Sequence, residues 1–133
     1  MPIEYEIDHG RRLVTAKGIG LLTATDVFTY QREVWSRPDI AGYNELMDMT
    51  AVEGIPASSP EGIRELASLA AEMDHQASFA RLAIIAPDDL SFGLARMFQS
   101  YRNFDDRGTK EVGVFRTSEE AMTFLDAAPD EKD

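Results

Sequence analysis

Two adjacent serines, Ser58 and Ser59, occupy the position in this chain that most clearly suggests regulated chemistry. They stand directly before Pro60 and a long helical pattern, where a hydroxyl caps the free N–H groups of the first turn. Those N–H groups and the helix dipole also favour a negative group, so a phosphoserine is accommodated there. Two interpretations therefore stay open, helix caps or phosphate acceptors.

Asp48 is a charged residue inside the otherwise apolar segment 46–49, which we predict to be a strand. A carboxylate in such a segment must reach solvent or be hydrogen-bonded. Open α/β sheets bind ligands at the carboxyl ends of their strands, which makes Asp48 a candidate ligand or partner contact. The alternative is an aspartate that is exposed or bonded to the backbone.

Phe92 and Arg96 stand four residues apart in a segment rich in large side chains, and we expect them on one side of a helix. That side lies away from the apolar stripe of the same helix, which consists of Leu94, Met97, Phe98 and Tyr101. The pair is a candidate for the edge of a pocket or of a partner surface, with Arg96 available to bind an anion. The alternative is ordinary packing beside an exposed arginine.

Other residue types that carry chemistry form no recognisable pattern. His9 and His75 are far apart in sequence, with no spacing typical of a metal site. No GxSxG motif is present, and Gly18 and Gly20 lack the third glycine and the Lys-Ser/Thr of a phosphate loop. We therefore expect no catalytic residues, no metal site and no cofactor.

Composition limits the remaining possibilities. The 133 residues include 13 basic and 24 acidic ones, a formal net charge of −11 that argues against binding to nucleic acid. There is no cysteine, and no apolar run approaches the roughly 20 residues of a membrane span. The first residues lack the layout of a signal peptide, so we expect a cytoplasmic protein. The length suits one domain, placed at 1–128, with a polar tail at 129–133.

Hydrophobic periodicity predicts a strand hairpin followed by alternating helices and strands. Ile3, Tyr5 and Ile7 alternate with glutamates, as in a half-buried strand. Further along, residues 82–86 form an unbroken apolar run that is typical of a central strand covered on both faces. The predicted order is β-β-α-β-α-β-α-β-α, an α/β domain with about five strands in a mixed, largely parallel sheet and about four helices.

Several short motifs accompany this element order. They are the strand at 46–49, the loop into Ser58-Ser59, the block Phe92-Gly93-Leu94-Ala95-Arg96-Met97, Val114-Phe115, and Glu120-Ala121-x-x-Phe124-Leu125. With these motifs the chain resembles the SpoIIAA-like family of bacterial proteins. That family belongs with the STAS domains and is also compared with the Sec14 lipid-binding fold.

The resemblance implies a non-enzymatic cytoplasmic module that regulates through protein contacts. In STAS anti-sigma-factor antagonists a partner kinase phosphorylates a serine at the start of the helix after the third strand, a place that Ser58 and Ser59 match here. This chain has Pro56-Ala57 and Pro60 where the family pattern has an acidic residue and a glycine. The Sec14 comparison implies the alternative, a binder of a small apolar or amphipathic, lipid-like ligand.

These two functions predict different interiors. A ligand binder is expected to contain an apolar cavity with a few polar groups at one end. A protein-interaction module is expected to have a filled core and an exposed apolar patch.

We predict a homodimer, because four large aromatic residues fall near element ends or loops and aromatic residues are enriched in interfaces. These residues are Trp35, Tyr43, Phe79 and Phe104. Sedimentation at tens of micromolar should give the mass of two chains, and a single-chain mass would contradict the prediction.

Overall fold

A computed structural model describes residues 3–56, 59–74 and 80–127. Ser58, His75, Phe79 and the polar tail at 129–133 lie outside the described residues. The strands are β1 (Ile3–Asp8), β2 (Leu13–Leu21), β3 (Asn44–Gly54), β4 (Arg81–Ile85) and β5 (Glu111–Phe115). The helices are α1 (Ala24–Val34), α2 (Pro60–Glu72), α3 (Asp89–Phe104) and α4 (Ser118–Asp126), with a 3-10 turn at Pro38–Ile40. This order confirms the predicted α/β class.

The strands form one sheet in their sequence order, from β1 at one edge to β5 at the other. β1 runs antiparallel to β2, and the other neighbours are parallel, which is the predicted mixed and largely parallel arrangement. Because the three parallel crossovers step in the same direction and such crossovers are right-handed, α1, α2 and α3 cover one face. α4 follows the last strand and covers part of the opposite face.

The two faces of β4 show how the sheet divides the core. Leu82 and Ile84 belong to the apolar cluster under α1, α2 and α3. Ala83 and Ile85 belong to the smaller cluster under α4. The strand therefore has both faces covered, which explains its unbroken apolar run and confirms the prediction made from it.

Side-chain caps define where the helices begin. Ser59 precedes α2, and its Oγ accepts the backbone N–H of Gly62 at 3.1 Å, so the predicted cap is present. Thr23, Asp88 and Thr117 cap α1, α3 and α4 in the same way. Each cap satisfies an N–H that the first helical turn leaves without a partner.

A buried ion pair joins the end of α2 to α3. Arg102 donates to the carboxylate of Asp74 at 2.6 Å, and both side chains are only 3% exposed. The same Asp74 oxygen accepts the backbone N–H groups of Thr109 and Lys110 at 2.8 and 3.0 Å. Asp74 therefore also fixes the segment that leads into β5.

The aromatic residues behind the predicted homodimer occupy different environments. Trp35 and Tyr43 are buried in the core, so their position near element ends is not evidence of an interface. Phe104, the last residue of α3, is 85% exposed. The homodimer stays a prediction, now supported among the described residues by Phe104 alone.

Replacing Asp74 by alanine is expected to lower the free energy of unfolding by about 3–5 kcal/mol, because it leaves the Arg102 guanidinium buried without its counter-charge. The change is measured by urea denaturation. Asp126→Ala is the matched control, since Asp126 faces Arg11 at 3.8 Å across a largely exposed pair. It should change the stability by less than about 0.5 kcal/mol, and an equally small effect of Asp74→Ala would contradict the role assigned to the pair.

Candidate functional site

A cavity of about 150 Å³ lies between the sheet and the three helices that cover its larger core. Apolar side chains form most of its walls. The apolar wall residues from β3, β4 and α3 include Met47, Met49, Leu82, Ile84, Leu94 and Phe98. The core under α1, α2 and α3 is therefore not filled.

One end of the cavity lies at the carboxyl ends of β2 and β3. Leu22 and Ile55, which directly follow these strands, border it together with the capping residues Thr23 and Ser59. This is the edge at which open α/β sheets usually bind ligands. Of the candidate residues from the sequence, Ser59 borders the cavity, whereas Asp48, Phe92 and Arg96 do not.

The opposite end carries a closed polar network. Tyr30 donates its hydroxyl proton to Glu45 at 2.7 Å and accepts the indole N–H of Trp35 at 3.0 Å. Lys110 donates to the other Glu45 oxygen at 3.1 Å, and its Nζ lies 3.3 Å from the centroid of the Trp35 ring. The side chains of Glu45 and Lys110 are only 5% and 7% exposed. Because these groups bind one another, they form a rigid wall.

The position of Tyr30 in this network changes its acidity. The pKa of the Tyr30 phenol is raised well above its ordinary value of 10.0. Burial is the larger cause, and the negative charge of Glu45 is the second. The phenol therefore stays protonated and keeps donating to Glu45 across the neutral pH range.

Gln31 is a further polar residue at this end. It lines the cavity and is 7% exposed as a residue, and its carboxamide makes no hydrogen bond to any of the described residues. Neither amide atom is fully buried, so the amide keeps access to the space that the residue lines. Gln31 is thus a polar group in the wall of a largely apolar cavity, with its donor and its acceptor not used by the described part of the chain.

The sequence pattern itself indicates that Gln31 and Glu45 face the interior. Gln31 follows Val27 by four residues and precedes Val34 by three, so the helical period places it on the apolar face of α1. Glu45 stands two residues before Met47, which in a strand puts both side chains on the same face. It was missed because the predicted third strand began only at 46.

Asp48 lies on the other face of the sheet. The alternation of β3 directs Met47 and Met49 into the cavity and Asp48 away from it. The Asp48 carboxylate accepts the backbone N–H and the hydroxyl of Thr50 at 2.9 and 2.7 Å. It does not border the cavity, and its role as a ligand or partner contact stays a prediction for this second face.

Phe92 and Arg96 also lie outside the cavity walls. Phe92 is half-buried against the larger core, and its ring lies 5.9 Å from the guanidinium of exposed Arg96 and 4.2 Å from that of Arg116. Arg116 in turn donates to Asp89 at 2.9 Å. Phe92 is therefore flanked by the guanidinium groups of Arg96 and Arg116. The role of Phe92 and Arg96 in binding stays a prediction.

Of the two candidate serines, the structure describes Ser59. Ser59 borders the cavity while its hydroxyl caps α2, which is the helix-capping interpretation. Ser58 lies outside the described residues. Phosphorylation of either serine stays a prediction.

The described residues contain no group of three or more His, Asp or Glu side chains placed to hold a metal ion. Within the same ranges, no helix combines the length and the apolar character needed to cross a membrane.

The sequence matches no protein-family model and no curated protein. The structure is similar to the crystal structure of an uncharacterized protein of the DUF3478 family from Shewanella loihica PV-4, described as having a SpoIIAA-like fold. The TM-score is 0.58 at 20% sequence identity, covering 92% of this chain and 93% of that one. This chain has the SpoIIAA-like fold.

The anti-sigma factor antagonist SpoIIAA in its unphosphorylated form is also similar, with a TM-score of 0.48, 11% identity and coverage of 92% of this chain and 94% of that one. The SpoIIAA-like fold agrees with the resemblance seen in the sequence. At these identities the likeness concerns the fold, so the function has to be argued from this chain's own residues.

Alkaline titration should reveal the buried state of Tyr30. Because its folded pKa is raised above the unfolded value of about 10, the stability it contributes is present at neutral pH and is lost at higher pH. Comparing phenolate absorbance in the unmodified protein and in Tyr30→Phe isolates its signal. We expect that signal to appear only as the chain unfolds. In protein unfolded by urea, the Tyr30 phenolate should instead form with the pKa of an ordinary tyrosine, about 10. Ionisation of Tyr30 in the folded protein would contradict the network.

Proposed function

We propose that this protein is a non-enzymatic binder of a small, predominantly apolar molecule, held in the cavity between the sheet and α1, α2 and α3. The observation that supports this most strongly is the cavity itself, which combines apolar walls with a few polar groups at one end. Small-molecule sites have this composition. Protein interiors are normally close-packed, and a void lowers stability, so an open cavity in so small a core favours a binding role.

The volume of the cavity limits the size of the ligand. An engineered cavity of about 150 Å³ with apolar walls binds benzene, so the part of the ligand enclosed here has about six to eight non-hydrogen atoms. Burial of about seven carbon atoms contributes roughly 5 kcal/mol. That energy corresponds to a Kd below about 1 mM for the bare hydrocarbon.

The polar end of the cavity favours binding over catalysis. The Tyr30 hydroxyl and both Glu45 oxygens are engaged with Trp35, Lys110 and each other. The protonated phenol cannot accept a proton as a general base does. The Glu45 carboxylate is held by two donors in a structural network, which supports a binding role for this end of the cavity.

A regulatory module that acts through protein contacts is the second candidate. The exposed side chain of Phe104 favours it, since exposed apolar groups can mark interaction surfaces. We place it second because the module was expected to have a filled core, and the space between the sheet and the helices is open. A ligand-dependent regulator would combine both functions.

Toluene is a suitable first probe, and the methionine methyl groups report where it binds. With methyl-labelled methionine, we expect toluene to shift the NMR signals of Met47 and Met49, which line the cavity. The signal of Met122, which belongs to α4 and packs against the cluster on the other face of the sheet, should not move. Absence of any shift at millimolar toluene would contradict the proposed function.

Filling the cavity should abolish this binding. Leu94 lines the cavity, so Leu94→Trp is expected to weaken toluene binding at least about tenfold through loss of space, by the same NMR titration. Leu90→Trp is the matched control, because Leu90 is exposed on the same helix and outside the cavity walls. If the two variants bind toluene with equal affinity, toluene binds outside the cavity.

A further inference from the structure

We propose that Gln31 recognises a single uncharged oxygen on the ligand, which makes the ligand a small neutral phenol or alcohol with an apolar body. This inference rests on the proposed function and names the class of molecule that the same cavity selects. The geometry that carries it is the position of Gln31, a residue only 7% exposed, in the wall of a largely apolar cavity that a ligand would fill.

The position of Gln31 on α1 is otherwise one for an apolar residue. It stands one helical turn after Val27 and one turn before Val34, on the face that packs toward the sheet. The amide makes no hydrogen bond to the described residues and is not fully buried, so its donor and its acceptor are available at the cavity wall. A ligand oxygen in the cavity can bond to it.

The neighbouring polar groups cannot take the role of Gln31. The Tyr30 hydroxyl donates its proton to Glu45, so it has no proton left for a ligand oxygen. The Glu45 carboxylate, bound by Tyr30 and Lys110, can only accept. Among these three groups at this end of the cavity, the amide of Gln31 is therefore the one with a free donor.

The same arrangement disfavours an acidic ligand. A carboxylate enclosed here would need a counter-charge to offset the loss of its hydration. The cation at this end, Lys110, is already paired with Glu45 and held over the Trp35 ring. Glu45 itself borders the cavity and is negative. A neutral hydroxyl, which both donates and accepts, suits the two functions of the amide without adding a buried charge.

Three probes of similar shape separate these possibilities at neutral pH, namely p-xylene, 4-methylphenol and 4-methylbenzoate. We expect 4-methylphenol to bind at least as tightly as p-xylene, although the phenol is the more strongly hydrated of the two. We expect 4-methylbenzoate to bind at least about tenfold more weakly than 4-methylphenol, because its charge is buried. An acid that binds as tightly as the phenol would overturn the assignment of a neutral ligand.

The decisive comparison uses Gln31→Leu and the near-isosteric Gln31→Met. In both, the Kd of 4-methylphenol relative to that of p-xylene should rise at least about tenfold, because the ligand hydroxyl loses its partner. Glu33→Leu introduces the same side chain at an exposed position of the same helix and should leave the ratio unchanged. A ratio that stays within about twofold in the Gln31 variants would overturn the inference.

The outcomes also separate this inference from the function on which it rests. If p-xylene binds and the ratio does not respond to Gln31, the cavity binds ligands without the proposed selectivity. If neither probe binds at millimolar concentration, the proposed function itself fails.

Discussion

The buried carboxylate of Glu45 is the constraint on which the larger core depends. A charge on the inner face of β3 is stable only with partners, and these come from elements far apart in sequence. Tyr30 comes from α1, and Lys110 comes from the segment before β5. Trp35 completes the network by donating to Tyr30 and packing against Lys110. This one network therefore connects the central strand β3 to α1 and to the segment that leads into the edge strand β5.

The cavity is a consequence of this arrangement. At one end the polar network holds α1 and β3 in fixed positions, and beyond it the walls consist of side chains such as Met47 and Leu94 that leave space between them. Among the polar side chains that line the cavity, Tyr30 and Glu45 bind each other and the Thr23 and Ser59 hydroxyls cap helices, whereas the Gln31 amide has no bond to the described residues. The result is an apolar site with few points of polar recognition, and in such sites selectivity comes from pairing or failing to pair those groups.

The sequence predicts the element order and the caps well because both depend on local patterns. The hydroxyl of Ser59 before Pro60, for example, is enough to place the start of α2. The cavity depends on the spacing between the helices and the sheet, which no local pattern records. Tyr43 lies between elements, a position that favours the surface, yet tertiary packing buries it. Asp48 stood inside the predicted third strand and Glu45 one residue before it, and only the arrangement of the helices shows which face of that strand holds the cavity.

The most direct measurement is a crystal structure of the protein with 4-methylphenol. The account predicts electron density for one molecule between the sheet and the helices, with its methyl-bearing ring edge among the apolar walls. The phenol oxygen should lie about 2.7–3.2 Å from the Gln31 carboxamide, as in an ordinary hydrogen bond. A cavity closed by protein side chains, or a phenol bound elsewhere on the molecule, would contradict the account.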